Sequence, residues 1–515
     1  MSASRTILRN IFSNWATLLV NIAISFFLAP FIVHSLGNVY YGIWVIMMQF
    51  TGYLYLLDFG VRESIIRYVS RQKPEEDNHE LNEIISSGLL LYSGIGLIAL
   101  TISFLLAWVF PHIVDIESGD VTTTRIVVIL SGLTVTQMLV FNVFGGILMG
   151  LQRFDIFNKV AIIFAFIRLA LILVFLNLGY SLIALALIQL AVGLGNNLVI
   201  YFYSRNILKK RKIPFYYTHS PFRERLPIFK KLYNYSIYVL INNLGQKAIY
   251  FTDALIIGIA MSASAVTFYA IAGSLIEYLR RLIKITNSVL TPAASEFEGR
   301  NEMDRVNNLL IQGSRFSFLM ALPVCIIYVS MGHEFIGIWM GEEYSSSSGN
   351  VLLVLAITTI LSLPQYTISR ILYGVSKHKL IAYLRIVEAV LNLTISLVLI
   401  QSFGIIGVAF GTAIPQIALM VIMLPILARK HLKFSMAHFL TQVYALPLLA
   451  SVPFILLSIW INSSFPTQSL LVFFLQVIMM LPVYLLFVVA ICFNKQDRRH
   501  YWGMISQFIP GKSAS

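Results

Sequence analysis

Short polar stretches divide this chain into a succession of long apolar runs, each about twenty residues or more. That is the length of helix needed to cross roughly 30 Å of hydrocarbon. Fourteen membrane-spanning helices are predicted, at residues 11–33, 41–65, 83–110, 124–149, 157–177, 181–204, 233–258, 265–291, 308–330, 350–373, 380–401, 404–427, 442–461 and 468–492. No run shows the sustained two-residue alternation of a barrel strand. The expected fold is therefore an all-α, polytopic membrane protein. The first run is too long for a signal-peptide core and lacks a small-x-small cleavage site, so it reads as a mature helix.

The pattern repeats at an offset of about 225 residues. ILMGLQR (Ile147–Arg153) pairs with ILYGVSK (Ile371–Lys377), LNEIISSG (Leu81–Gly88) with VNNLLIQG (Val306–Gly313), and Gly179 with Gly404. Six helices per copy give the copies one orientation, as in transporters whose parallel repeats place a substrate path between lobes. The expected organisation is an N-lobe at 1–205, a linker at 206–232, a C-lobe at 233–428 and a two-helix C-terminal addition at 429–515.

Composition supports the membrane reading: 58% of the 515 residues are apolar, 12% are charged and mean hydropathy is +0.81. Charge then orients the chain. With the N-terminus cytoplasmic, the outer segments HSLGNVY, PHIVDIESGDV, NLGYS, GIAMSAS, GHEFIGIWMGEEYSSSSG, QSFG and INSSFPT contain no Lys or Arg. The inner segments carry most of the basic residues, nine of them between Arg205 and Lys231. This positive-inside asymmetry puts both termini in the cytoplasm and accounts for the net charge of +14 without nucleic acid. Cys325 and Cys492 both lie in apolar runs, so no disulfide framework follows.

The eighth span breaks the apolar rule. SLIEYLRRLIKITNSVLTP (Ser274–Pro292) carries Glu277, Arg280, Arg281 and Lys284. At 100° per residue, with Glu277 at zero, Arg280 falls near −60°, Arg281 near +40° and Lys284 near −20°. A lipid-facing charge at the bilayer centre costs at least about 2.5–3.5 kcal/mol on insertion scales. Three readings follow. Lys284 snorkels to the inner surface, Glu277 and Arg281 form a static i,i+4 pair, or the stripe lines a cation-rich cavity. Arg280 and Arg281 lie a turn deeper than Lys284, which favours the cavity. Arg168 in the fifth span and Lys247 in the seventh add to it, and Asp253 and Glu277 are the candidate acids for pairing or for a coupling proton or sodium ion. Asp58 and Arg62 (i,i+4) and Arg385 and Glu388 (i,i+3) are candidate structural or gating pairs. Surplus positive charge at depth suits an anion, and guanidinium suits phosphate.

The sequence has no nucleotide-binding G-x-x-x-x-G-K-[ST] loop, no H-E-x-x-H and no nucleophile elbow. The run FFLAPFIVHSLGNVYYGIWVIMMQFTGYLYLLDFGVRESIIRYVSR resembles the opening of the bacterial polysaccharide flippases (Wzx type) of the multidrug/oligosaccharidyl-lipid/polysaccharide exporter superfamily. It does so through Pro30, Leu36–Gly37, Tyr41–Gly42 and Asp58–Gly60. The seventh and eighth spans, with Asp253 and Pro292, are similar to the family's second-lobe opening.

The resemblance implies a bacterial inner-membrane protein that is not an enzyme and has no cofactor. It would carry an undecaprenyl-diphosphate-linked oligosaccharide from the inner to the outer leaflet for O-antigen, exopolysaccharide or capsule synthesis. Membrane lipid, a polysaccharide polymerase and a chain-length regulator are the implied partners. Three alternatives stay open: a lipid II flippase, a cation-coupled drug antiporter, and a non-transporting scaffold of a glycan-assembly complex.

Overall fold

A computed structural model describes residues 3–58, 60–71, 78–114, 120–211, 217, 225–226 and 252–493. These are helical throughout, with no strand among the described residues. The helices are α1 (Ala3–Leu54), α2 (Val61–Arg71), α3 (Asn78–Ile113), α4 (Val121–Gly150), α5 (Phe154–Asn177), α6 (Leu182–Lys210) and α7 (252–260). They continue with α8 (Ala263–Thr286), α9 (Leu290–Gly299), α10 (Met303–Met340), α11 (Glu342–Ser362), α12 (Pro364–Gly374) and α13 (His378–Pro415). The last four are α14 (Leu424–Leu432), α15 (Met436–Leu440), α16 (Leu446–Ser464) and α17 (Leu470–Cys492).

Ten helical segments among the described residues are long and apolar enough to cross a membrane. Two of them, Ser13–Asp58 and His378–Leu432, are 46 and 55 residues long and each suffice for two crossings. The eighth span is a helix too charged to count among the ten. The seventh lies largely outside the described residues, as do Lys247 and most of the expected 206–232 linker.

Three expected outer loops prove to be something tighter. HSLGNVY is a kink inside α1, where Gly37 takes φ 75° and ψ 169°. QSFG is a kink inside α13, at Gly404 with φ 56° and ψ −139°. Only glycine adopts such values without a Cβ clash. GHEFIGIWMGEEYSSSSG is almost wholly helical, because α10 runs on to Met340 and α11 begins at Glu342. Gly341 alone turns the chain, at φ 119°. Its polar residues had suggested a loop, but they lie on helix ends. The expected end of the eighth span near 291 also moves. After a 3₁₀ turn at Asn287–Val289 the helical path continues to Gly299.

The chain falls into two compact units, 1–270 and 271–515, the division passing through α8. In the first, Ile65, Tyr92, Leu139, Val143 and Ile147 anchor a core shared by α2, α3 and α4. In the second, Leu310, Ile368, Ile371, Leu372 and Leu424 anchor a core of α10, α12 and α14.

The units share local geometry where the sequence repeats. Helix α4 ends with Gln152 at φ 58° and α12 with Ser376 at φ 58°. In the first turn Arg153 N–H donates to Leu148 C=O at 2.8 Å, and in the second Lys377 N–H donates to Leu372 C=O at 2.8 Å. This is the six-to-one closure of a Schellman stop. Each stop is preceded by a glycine beneath a short helix. A Cβ on Gly150 would lie 2.9 Å from Ile66 O in α2, and one on Gly374 would lie 2.7 Å from Thr291 O in α9. A 3₁₀ turn leads into both short helices, at Tyr55–Asp58 and Asn287–Val289. Gly179 and Gly404 both sit at positive φ, as their alignment implies.

Candidate functional site

Within the N-terminal unit, α4, α5 and α6 turn one face each toward a cavity of about 280 Å³, mixing aromatic and small residues with amides and an arginine. Each face repeats every three or four residues, the spacing of a helical stripe. Thr134, Gln137, Phe141 and Gly145 come from α4, Phe157, Ala161, Phe164 and Arg168 from α5, and Gln189, Gly193, Asn196 and Asn197 from α6. Asn21 of α1 and Arg62 of α2 complete the wall. The charged side chains in this lining are two guanidiniums, Arg62 and Arg168, and the lining contains no carboxylate.

Arg168 lies where the sequence places it, half-buried on the cavity face of α5, and makes no ion pair among the described residues. Arg62 does not follow the expected pairing with Asp58. Its Nη2 lies 2.9 Å from Met149 Sδ, and its guanidinium sits 5.8 Å from the centre of the Phe157 ring. Asp58 is buried and accepts from the Tyr92 hydroxyl. Asp58 ends a 3₁₀ turn and Gly60, at φ 72°, breaks the helix before Arg62, which removes the regular i,i+4 geometry that the expectation assumed. Tyr55, in the turn that precedes α2, accepts from Asn142 Nδ2 at 2.8 Å, which ties that turn to α4.

The amides of the wall are linked. Asn196 Nδ2 donates to Asn197 Oδ1 at 3.4 Å, and Asn197 Nδ2 donates to Gln137 Oε1 at 3.0 Å. Gly193 leaves room for the end of that chain, since a Cβ there would lie 2.6 Å from Gln137 Nε2. Asn14 and Asn21, a polar stripe on the first span, take separate tasks. Asn14 accepts from Asn158 Nδ2 of α5 at 2.6 Å, and Asn21 lines the cavity.

The C-terminal unit holds the other charges. The stripe on α8 divides: Arg280 is buried on the same side as Leu275, Ile276, Leu279 and Ile283. Arg281 stays exposed and donates from Nε to Glu277 Oε1 at 3.1 Å. Lys284 is intermediate in exposure. The buried side is thus centred nearer Arg280 than the helical wheel placed it, and Glu277 is engaged by Arg281. Asp253, the other candidate acid, is buried in the N-terminal unit and accepts from the Tyr269 hydroxyl at 2.6 Å.

Arg385 and Glu388 form the expected i,i+3 pair, Nη1 to Oε2 at 2.8 Å, and both are buried. Arg385 Nη2 also donates to Gln365 Oε1 at 3.2 Å.

Sequence reasoning keyed on charge and passed over Gln137, Asn142, Gln189, Asn196 and Asn197. A signal was available, because Gln189, Gly193 and Asn196–Asn197 recur at helical spacing along the sixth span.

A family model described as "Polysaccharide biosynthesis protein" matches residues 36–349. The chain is similar to a Shigella flexneri protein assigned as an O-antigen transporter, at 24% identity over 388 residues, or 75% of this chain and 88% of that one. It is 30% identical over 191 residues to a Haloferax volcanii protein assigned as the low-salt glycan biosynthesis flippase Agl15, 36% of this chain and 40% of that one. Among solved structures, the lipid II flippase MurJ in an inward closed conformation superposes with a TM-score of 0.72 at 15% identity, covering 94% of this chain and 98% of that one. At that identity the likeness is one of fold.

Proposed function

The chain belongs to the polysaccharide biosynthesis protein family, and from that premise we propose that it is a flippase for polyprenyl-diphosphate-linked oligosaccharides. The family match over residues 36–349 carries this reading. The substrate's diphosphate meets guanidinium groups at membrane depth, and its polyprenyl tail stays in lipid. Arg168 is the foremost of these groups, because it borders the cavity with no ion pair among the described residues. Arg281 and Lys284 are assigned to the same task in the second unit. Two six-helix lobes related as a parallel repeat would expose the path alternately to each leaflet of a bacterial inner membrane. Outward movement of two negative charges against an inside-negative potential is downhill by about 2.3 kcal/mol per charge per 100 mV.

The cavity chemistry disfavours the drug-antiporter reading, since a wall with two arginines and no carboxylate repels cationic drugs. The flippase reading is tested by Arg168→Ala, Arg281→Ala and Lys284→Ala, singly and combined, with membrane abundance measured in parallel. Surface polysaccharide should be lost while lipid-linked repeat units accumulate on the cytoplasmic side. Normal polymer from correctly inserted triple variants would sink the anion-binding model.

A further inference from the structure

We propose that the amide wall of the N-terminal cavity is a sugar-reading subsite, selecting the glycan end of the substrate separately from the charge of its diphosphate. The inference rests on the flippase reading and adds a division of labour to it. The two guanidiniums come from α2 and α5, and the linked amides come from α4 and α6. A phosphate oxygen only accepts hydrogen bonds, so the acceptor half of an amide is wasted on it. A sugar hydroxyl both donates and accepts, and matches an amide on both counts.

The linkage gives the wall a polarity. With Asn196 donating to Asn197 and Asn197 donating to Gln137 Oε1, the Gln137 amide nitrogen stands at the end of the chain as a donor, over Gly193. Phe141, Phe157 and Phe164 border the same space and supply apolar faces on which the C–H side of a pyranose can rest. A volume of about 280 Å³ is at the small end for ligand sites, room for about one or two sugar rings rather than a long oligosaccharide. The subsite would therefore read one sugar unit.

The test uses the full-length protein in nanodiscs. The probes are undecaprenyl diphosphate alone and a panel of undecaprenyl diphosphates bearing a single hexose, N-acetylhexosamine or hexuronate. Wild type should bind the best sugar-bearing lipid about tenfold more tightly than the bare lipid, the effect of one or two well-made hydrogen bonds. Gln137→Leu with Asn197→Leu should cut that preference below twofold and leave bare-lipid affinity within twofold of wild type. Retained bare-lipid binding doubles as the check on folding. Gly193→Ala keeps every amide but crowds Gln137, and should also reduce the preference. Arg168→Gln should weaken both classes of lipid alike. A sugar preference that survives the double leucine variant, or a wild type that does not distinguish sugar-bearing from bare lipid, overturns the subsite and leaves the flippase reading standing. A wild type that binds no diphosphate lipid overturns both.

Discussion

Replacing Glu388 by Gln removes the buried carboxylate that pairs with Arg385. Relative exposure is 1% for Glu388 and 6% for Arg385, so water cannot take over the carboxylate's role. The amide can still accept one hydrogen bond from Arg385, but the guanidinium loses this buried counter-charge. Deleting one partner of a buried pair typically costs about 3–5 kcal/mol. For a unit of this size each kcal/mol moves Tm by about 2–4 °C, so the expected fall is about 6–20 °C.

Thermal unfolding in detergent, followed by size-exclusion recovery, measures it. Adding Arg385→Met to Glu388→Gln removes the other member of the pair and should recover at least half of the loss, since buried pairs are often replaceable when both members change. A Glu388→Gln variant with a Tm within 2 °C of wild type (a change of under about 1 kcal/mol) would refute the reasoning. It would mean that the Arg385 guanidinium is held by its other contacts.

Two further predictions concern backbone fit and pH. Gly374→Val and Gly150→Val push a branched side chain into the α9 and α2 backbones respectively, and each should cost about 1–3 kcal/mol, read as reduced membrane abundance and a lower Tm. Asp120 caps α4, accepting from Thr123 Oγ1 and from Thr122 N–H at 2.8 Å each. Those bonds, the Thr123 hydroxyl first, hold its carboxyl below the usual range. Its stabilising effect should be present above the ordinary carboxylate pKa and fade as pH falls through the lowered value. Asp120→Asn, which cannot titrate, should show a shallower loss of stability on acidification in a pH series of melting curves.

The architecture was legible because hydrocarbon imposes a length. Runs of about twenty apolar residues announce helices whatever they pack against. Where the reading failed, the cause was local. Gly37 and Gly404 turn the chain within a single residue, which a polarity pattern spreads into a loop. Around Gly341 the pattern shows polar residues but not that they remain helical.

The site was only partly readable. Arg168 stood out as a charge in an apolar run. The split of the α8 stripe, with Arg280 turned inward and Arg281 paired to Glu277, depends on which neighbours cover the helix, and the wheel carries no such information. The amides escaped notice because neutral polar residues inside a membrane are commonly interhelical glue. Only their convergence with Arg62 and Arg168 on one cavity distinguishes them from it.

The paired stops after α4 and α12 reach beyond this molecule. Gln152 and Ser376 are chemically unrelated and neither is glycine, yet both hold the same left-handed dihedral, and both are followed by the same chain-reversing bond. The offset repeat is thus carried at these two positions by a backbone state while the side chains differ. A search for ancient duplications that compared such conformational strings, rather than letters, would recover kinship that substitution scores have lost.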